Sequence, residues 1–175
     1  MMEHEGREVV FEDAADLSNR IDSPELDVTA DDILVLKNIG PKGAPGMPEA
    51  GYIPIPMKLA RAGVKDILHI SDGHMSGTAF GTIVLHVTHE SAIGGPLAQV
   101  RNGDRIRLSV KNREISLLIS DEELAQRMKD NPITSPTAER GYKKLFLDTV
   151  TQADQGVNFD FLRAAKMVGK TPQYK

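Results

Sequence analysis

Apolar residues along the chain gather into short runs instead of long helical stripes. VVF (9–11), DDILVLKNI (31–39), VKDILHI (64–70) and IVLHV (83–87) are dominated by β-branched and large aliphatic side chains, which predicts strands. The first run is short and follows a polar start, so it is expected at a sheet edge. RIRLSV (105–110) and EISLLIS (114–120), separated by KNR (111–113) and preceded by the tight turn NGD (102–104), read as a further strand pair. Helical spacing appears in EDAADLSNRI (12–21), through Ala14, Leu17 and Ile21, and in MKLARAG (57–63), where Gly63 is a natural stop. Ser120 and Glu123 have capping-box spacing, which predicts a helix over DEELAQRMKD (121–130), ended by Asn131 and Pro132. A second late helix is expected over residues 136–154, spanning Gly141.

Strands joined mainly by loops and hairpins, with helices gathered late, do not make a βαβ alternation. The pattern predicts an α/β domain: a swivelling, barrel-like mixed sheet with flanking helices. Residues 1–30 read as a polar lead-in, 31–155 as the domain and 156–175 as a tail ending in the basic GKTPQYK. A length of 175 residues suits one such domain.

Charge and composition narrow the function classes. A net charge of −4 gives no electrostatic reason to expect nucleic acid or an anionic membrane as partner. No apolar run approaches the ~20 residues that span a bilayer. The opening MMEHEGREVVFEDAAD lacks the basic and apolar parts of a signal peptide, so a cytoplasmic location is expected. The cysteine count of zero excludes disulfides, thiol catalysis and thiolate-held metal clusters within these residues.

Three stretches could carry chemistry. The loop GPKGAPGMPEAGYIPIP (40–56) holds four glycines and five prolines in seventeen residues, too many for regular structure. It lacks the Lys-Ser/Thr pair of a phosphate-binding loop, and its prolines remove backbone donors. It does present one acid, Glu49, on a stiff segment: a hard-metal ligand or a solvated surface acid. The histidines His69, His74, His86 and His89 are a second possibility. His86 and His89 would converge only on a helix, whereas their segment reads as a strand, which argues against a metal site there. The third stretch is SDGHMSGTAFGT (71–82), with four hydroxyl side chains, three glycines and one acid between two strands. Ser76-Gly77-Thr78 could hold a polyol or supply a base, although serine is a poor base unless a cation stabilises its alkoxide. An ordinary polar turn would read the same way.

GPKGAPGMPE (40–49), ISDGHMSGTAFGTIVLHV (70–87), ESAIGGPLAQVRNGD (90–104) and LLISDEELAQR (117–127) resemble, block for block and in order, the C-terminal part of the dihydroxy-acid and sugar-acid dehydratases. MPEAGYIPIP, MSGTAFGT, GYKKLF (141–146) and QADQG…FDFL (152–162) look most like the sugar-acid branch, which acts on aldonates. The similarity runs from about Gly6 to Leu162. It implies a hydro-lyase that dehydrates 2,3-dihydroxy acids, sugar acids foremost, to 2-keto-3-deoxy acids. It further implies that Ser76 is the base for the C2 proton, that Thr78 lies against substrate hydroxyls, and that Glu49 ligates a magnesium ion. Family enzymes also use an iron–sulfur cluster as Lewis acid on the departing 3-hydroxyl.

The sequence departs from the sugar-acid pattern at Gly73, commonly alanine there, at His74, usually arginine, and at His89, commonly proline. His74 puts a titratable group beside the loop where the family has a permanent cation. Family enzymes are also much longer, with their cluster cysteines and other magnesium ligands in an N-terminal domain. The expectation is therefore a C-terminal domain that meets such a partner domain, self-associates, and has neither iron nor dehydratase activity by itself. The competing expectation is a detached, non-catalytic barrel that binds a polyhydroxy acid or a protein. A neighbouring gene for a cysteine-containing half would favour the first.

Overall fold

The computed structural model describes residues 2–46, 52–77 and 79–162. Among them, six strands form one mixed sheet, a half-barrel accompanied by four α-helices, which bears out the α/β reading. The strands are β1 (Glu3–Phe11), β2 (Ile33–Leu36), β3 (Leu68–Ser71), β4 (Ile83–Val84), β5 (Arg105–Ser109) and β6 (Glu114–Leu117). Their order across the sheet is β4-β3-β2-β1-β5-β6.

β1 divides its length between two kinds of pairing. Its first half is antiparallel to β5, from Glu3 opposite Ser109 to Arg7 opposite Arg105. Its second half is parallel to β2, from Glu8 opposite Ile33 to Phe11 opposite Leu36. The sequence follows this division, with polar residues on the outer ribbon and VVF within the doubly covered sheet. The short run expected at an edge is thus the end of an interior strand. Its polar half hides the pairing because β5 lies far away in sequence. Gly6 stands where the two halves meet, and a Cβ there would fall 2.6 Å from the Asp31 carbonyl oxygen.

Every residue of β2 and β3 is buried, as a parallel strand covered on both faces requires. Alternation sends Leu34 and Leu36 to one face with Val9, Phe11, Leu17 and Met75, and Ile33 and Val35 to the other with Val10, Ile70, Leu97 and Ile106. The first face is closed by α1 (Ala14–Arg20), where the Asp13 side chain caps the helix by accepting from the Asp16 N–H at 2.8 Å. A five-residue helix, α2 (Met57–Arg61), precedes Gly63, whose φ of +89° ends the segment as expected. At α3 (Asp121–Asp130) the N-cap half of the capping box forms, the Ser120 hydroxyl accepting from the Glu123 N–H at 3.1 Å, while the Glu123 carboxylate turns to Arg127. Arg127 of α3 is buried against Asp104, with N–O distances of 2.5 and 2.9 Å, and holds the helix to the turn before β5.

Several expected elements are shorter than their apolar runs, and in two of them a positive φ marks the cut. IVLHV (83–87) keeps only Ile83 and Val84 as strand, because His86 adopts φ +56° and turns the chain. The last helix, α4, spans Gly141–Thr149 and not 136–154. Gly141 has φ +77°, a left-handed conformation incompatible with a helix interior, and so it starts the helix.

Among the described residues, two buried titratable groups lie within the sheet without hydrogen-bond partners: the Glu8 carboxyl and both ring nitrogens of His69. Burial pushes Glu8 up to about 9, with the charges of Asp104 and Asp32 adding to the effect, while the Ile106 N–H opposes it without reaching hydrogen-bond geometry. Burial pushes His69 down to about 4. The signs are opposite. The fold keeps a proton on Glu8 that the unfolded chain releases, so this residue weakens stability as pH rises from the ordinary carboxyl value toward 9. His69 must stay neutral, so it weakens stability as pH falls from the ordinary imidazole value toward 4. Replacing Glu8 by Gln is expected to raise the urea midpoint more at pH ~8 than at pH ~5, because only the parent must hold a proton against the solvent. An equal gain at both pH values would contradict the assignment.

Candidate functional site

β1, β2, β3 and β4 run parallel, so the segments that follow them collect at one edge of the sheet. Open parallel sheets bind ligands at such an edge. Here it is formed by residues 37–46 after β2, 72–82 after β3 and 85–95 after β4.

The edge is organised by two buried carboxylates. Asp72, directly after β3, is 1% exposed and accepts from the backbone N–H groups of Ile39 at 3.0 Å, Asn38 at 3.3 Å and Ser91 at 2.8 Å. One side chain thus joins all three segments. Glu90, also 1% exposed, accepts from the N–H groups of Lys42 at 3.0 Å and Gly43 at 2.9 Å, and from the Gln152 amide at 2.6 Å. Gln152 in turn accepts from the Glu90 N–H at 3.0 Å. Backbone donors and one neutral amide balance both charges, so burial is tolerated without a cation.

This packing explains the glycines. A Cβ at Gly40 would fall 2.4 Å from Glu90 Oε2, one at Gly43 2.6 Å from the Asn38 carbonyl oxygen, and one at Gly73 2.9 Å from Ile39 Cβ. Within the described residues 40–46 of the Gly-rich loop, the Lys42 and Gly43 amides turn inward to a carboxylate.

Residues 71–82 are pinned at both ends and in the middle. The Ser71 hydroxyl accepts from the Gly73 N–H at 3.0 Å, Met75 is buried in the first core face, and Thr82 donates its N–H and hydroxyl to Asp66 at 2.7 and 2.6 Å. Ser76 follows Met75, half-buried, and its carbonyl accepts from the Ala79 N–H at 2.8 Å. The two other expected site residues, Glu49 and Thr78, lie outside the described residues. Beside the loop is a cavity of about 220 Å³ lined by Ile39, Pro41, Asp72, His74, His86 and Val157 among others.

Of the four histidines weighed from the sequence, His69 is buried within β3, and His74 and His86 meet with Nδ1 and Nε2 3.0 Å apart. Burial, and then the neighbouring His74, hold His86 below the ordinary imidazole value. Among the described residues, no group of three or more His, Asp or Glu side chains is placed to hold a metal. Asp72 and Glu90 are committed to amides, so they do not fit as magnesium ligands, and the chain offers no cysteine for a cluster. Among the described residues, no helix is long and apolar enough to cross a membrane.

Residues 1–157 match the family model of the dihydroxy-acid/6-phosphogluconate dehydratase C-terminal region. The 6-deoxy-6-sulfo-D-gluconate dehydratase of Pseudomonas putida is 50% identical over 169 residues, covering 97% of this chain and 29% of that protein. The L-arabonate dehydratase of Azospirillum brasilense is 48% identical over 168 residues, 93% of this chain and 29% of that protein. A dihydroxy-acid dehydratase of Pyrobaculum aerophilum is 36% identical over 156 residues, 89% of this chain and 27% of that protein. The chain spans less than a third of the length of these relatives.

The edge geometry makes a paired expectation. Gly40→Ala must push the Glu90 carboxylate from its amides, at a cost of about 1–3 kcal/mol. Gly77→Ala, with nothing within 4 Å of the added methyl, is expected to stay within about 0.5 kcal/mol of the parent. Equal effects of the two substitutions in urea denaturation would contradict this account of the loop.

Proposed function

The chain belongs to the dihydroxy-acid/6-phosphogluconate dehydratase family, as its C-terminal domain, and on that premise we propose that it supplies the proton-abstracting half of a sugar-acid dehydratase site. The reading is carried by one placement: Ser76 stands on a loop anchored by Met75 and the Asp66–Thr82 pair, at the sheet edge where parallel strands end. In the reaction, Ser76 takes the proton from C2 of a 2,3-dihydroxy acid. The C–H electron pair becomes the C2–C3 double bond as the 3-hydroxyl departs with the C3–O bonding pair, the proton that Ser76 took from C2 balances that hydroxide as water, and the enol tautomerises to the 2-keto-3-deoxy acid. Thr78 is assigned to the substrate hydroxyls.

Glu49 is this chain's proposed contribution to a magnesium ion that would favour ionisation of the serine and bind the acid's carboxylate end. The cluster ligands must come from another part of the assembled enzyme, since these 175 residues contain no cysteine. That part is the proposed partner, and association into homo-oligomers is proposed for the whole. Phe80, on the Ser76 loop and 79% exposed, gives the edge apolar surface for such a neighbour. The cytoplasm is the proposed location.

The test is a chimera in which this chain replaces the matching C-terminal region of the A. brasilense enzyme. It should convert an aldonate to the 2-keto-3-deoxy acid. Its Ser76→Ala form should lose ~10²–10⁴-fold in rate, together with exchange of the C2 hydrogen for solvent deuterium, while folding normally. A Ser76→Ala chimera that exchanges as fast as its parent would remove Ser76 as the base.

A further inference from the structure

His74 and His86 come from different segments, one on the loop after β3 and the other just beyond β4, and neither is used in the chemistry proposed for Ser76. Their ring nitrogens, Nδ1 of His74 and Nε2 of His86, lie 3.0 Å apart, with ring centroids separated by 5.1 Å and planes tilted by 32°. Two imidazoles sharing one tetrahedral zinc ion at about 2.0–2.1 Å would place their nitrogens roughly 3.3 Å apart. In the metal-free chain this contact is a hydrogen bond between the two rings, and opening it by a few tenths of an ångström would let both facing nitrogens reach one ion.

The backbone holds this geometry in place. The His86 N–H donates to the Gly73 carbonyl at 3.2 Å, and the Val87 N–H to that of Ser71 at 3.1 Å, which ties the two segments on either side of the histidines. His86 itself sits at φ +56°, and its carbonyl accepts from the Thr88 hydroxyl at 3.0 Å. His86 is exposed and His74 half-buried, so an ion can enter from solvent. Both rings line the cavity of about 220 Å³.

We propose that His74 and His86 form a two-imidazole site for a borderline divalent transition metal such as Zn²⁺, Ni²⁺ or Cu²⁺. Nitrogen ligands select these ions over magnesium, which takes oxygen. Asp72 lines the same cavity, but its oxygens are held by three backbone N–H groups and do not complete the shell. The remaining positions open to the cavity, where water or an oxygen of a small ligand fills them. The proton balance follows from the hydrogen bond: the ring that donates in it must move its proton to its far nitrogen by exchange with water, after which the single protons sit on Nε2 of His74 and Nδ1 of His86 and both facing nitrogens are free for the metal. This site is separate from the dehydratase reading and does not depend on it.

The experiment uses the 175-residue chain, freed of metal and held at a pH above the imidazole range, titrated with Zn²⁺ alone. Calorimetry is expected to show one saturating equivalent per chain, and long-range ¹H–¹⁵N spectra to show metal on Nδ1 of His74 and Nε2 of His86. His74→Gln and His86→Gln should each weaken that equivalent by at least about tenfold, since losing even a group that only orients a metal ligand commonly costs that much. His89→Gln should leave it unchanged. Circular dichroism of each variant separates loss of a ligand from loss of fold, and the tautomer spectra of the parent need no variant at all. Absence of a saturating equivalent would overturn the proposal. So would zinc on the opposite nitrogens, or binding indifferent to both substitutions.

Discussion

The arrangement of the site edge depends on a carboxylate meeting three amides. Asp72 leaves β3 and turns back into the protein, where the N–H groups of Asn38, Ile39 and Ser91 converge on its two oxygens. Hydrogen bonds to a charged group contribute about 1.5–3 kcal/mol each, and a buried charge stripped of them is strongly destabilising. The three segments therefore have one arrangement that satisfies the charge. Glu90 repeats the device on Lys42, Gly43 and Gln152, and fixes the start of the Gly-rich loop.

A rigid edge of this kind suits a domain that forms half of a site. The hydroxyl-rich loop has few apolar residues to fold around, yet it is held by Met75 in the core, by Asp66 on Thr82 and by Asp72 at its root. The backbone around Ser76 is thus held from both sides by contacts within the chain. Family membership motivates the proposed reaction class, and the anchors at the edge give the Ser76 loop fixed ends within this chain.

What the sequence disclosed depends on how local the determining contacts are. The Ser120–Glu123 cap is settled within four residues, and α3 begins where that spacing predicts. The interior place of β1 was hidden because half of its pairing lies with β5, across the opposite half of the chain. The early end of β4 and the late start of α4 rest on positive φ values at His86 and Gly141, which composition does not reveal. At the site, hydroxyl density marked the Ser76 loop. Asp72 and Glu90 went unnoticed because a carboxylate's role is set by the amides that fold around it from distant segments. The only local hints were an acid directly after a buried strand, in SDG, and another before the paired glycines of ESAIGG. The His74–His86 contact was missed for the same reason: the spacing that looked meaningful, His86 to His89, is not the one that folding brings together.

The central claim is that the Asp72 carboxylate holds the edge, and amide hydrogen exchange with an Asp72→Asn variant tests it most directly. An asparagine offers one acceptor oxygen and turns an NH₂ group toward amides that also donate. Protection at Ile39 and Ser91 should fall sharply in the variant, while Val35 and Ile70 in the sheet stay as slow as in the parent. If Ile39 and Ser91 exchange at parental rates with asparagine in place, the edge is held by something else and the account fails.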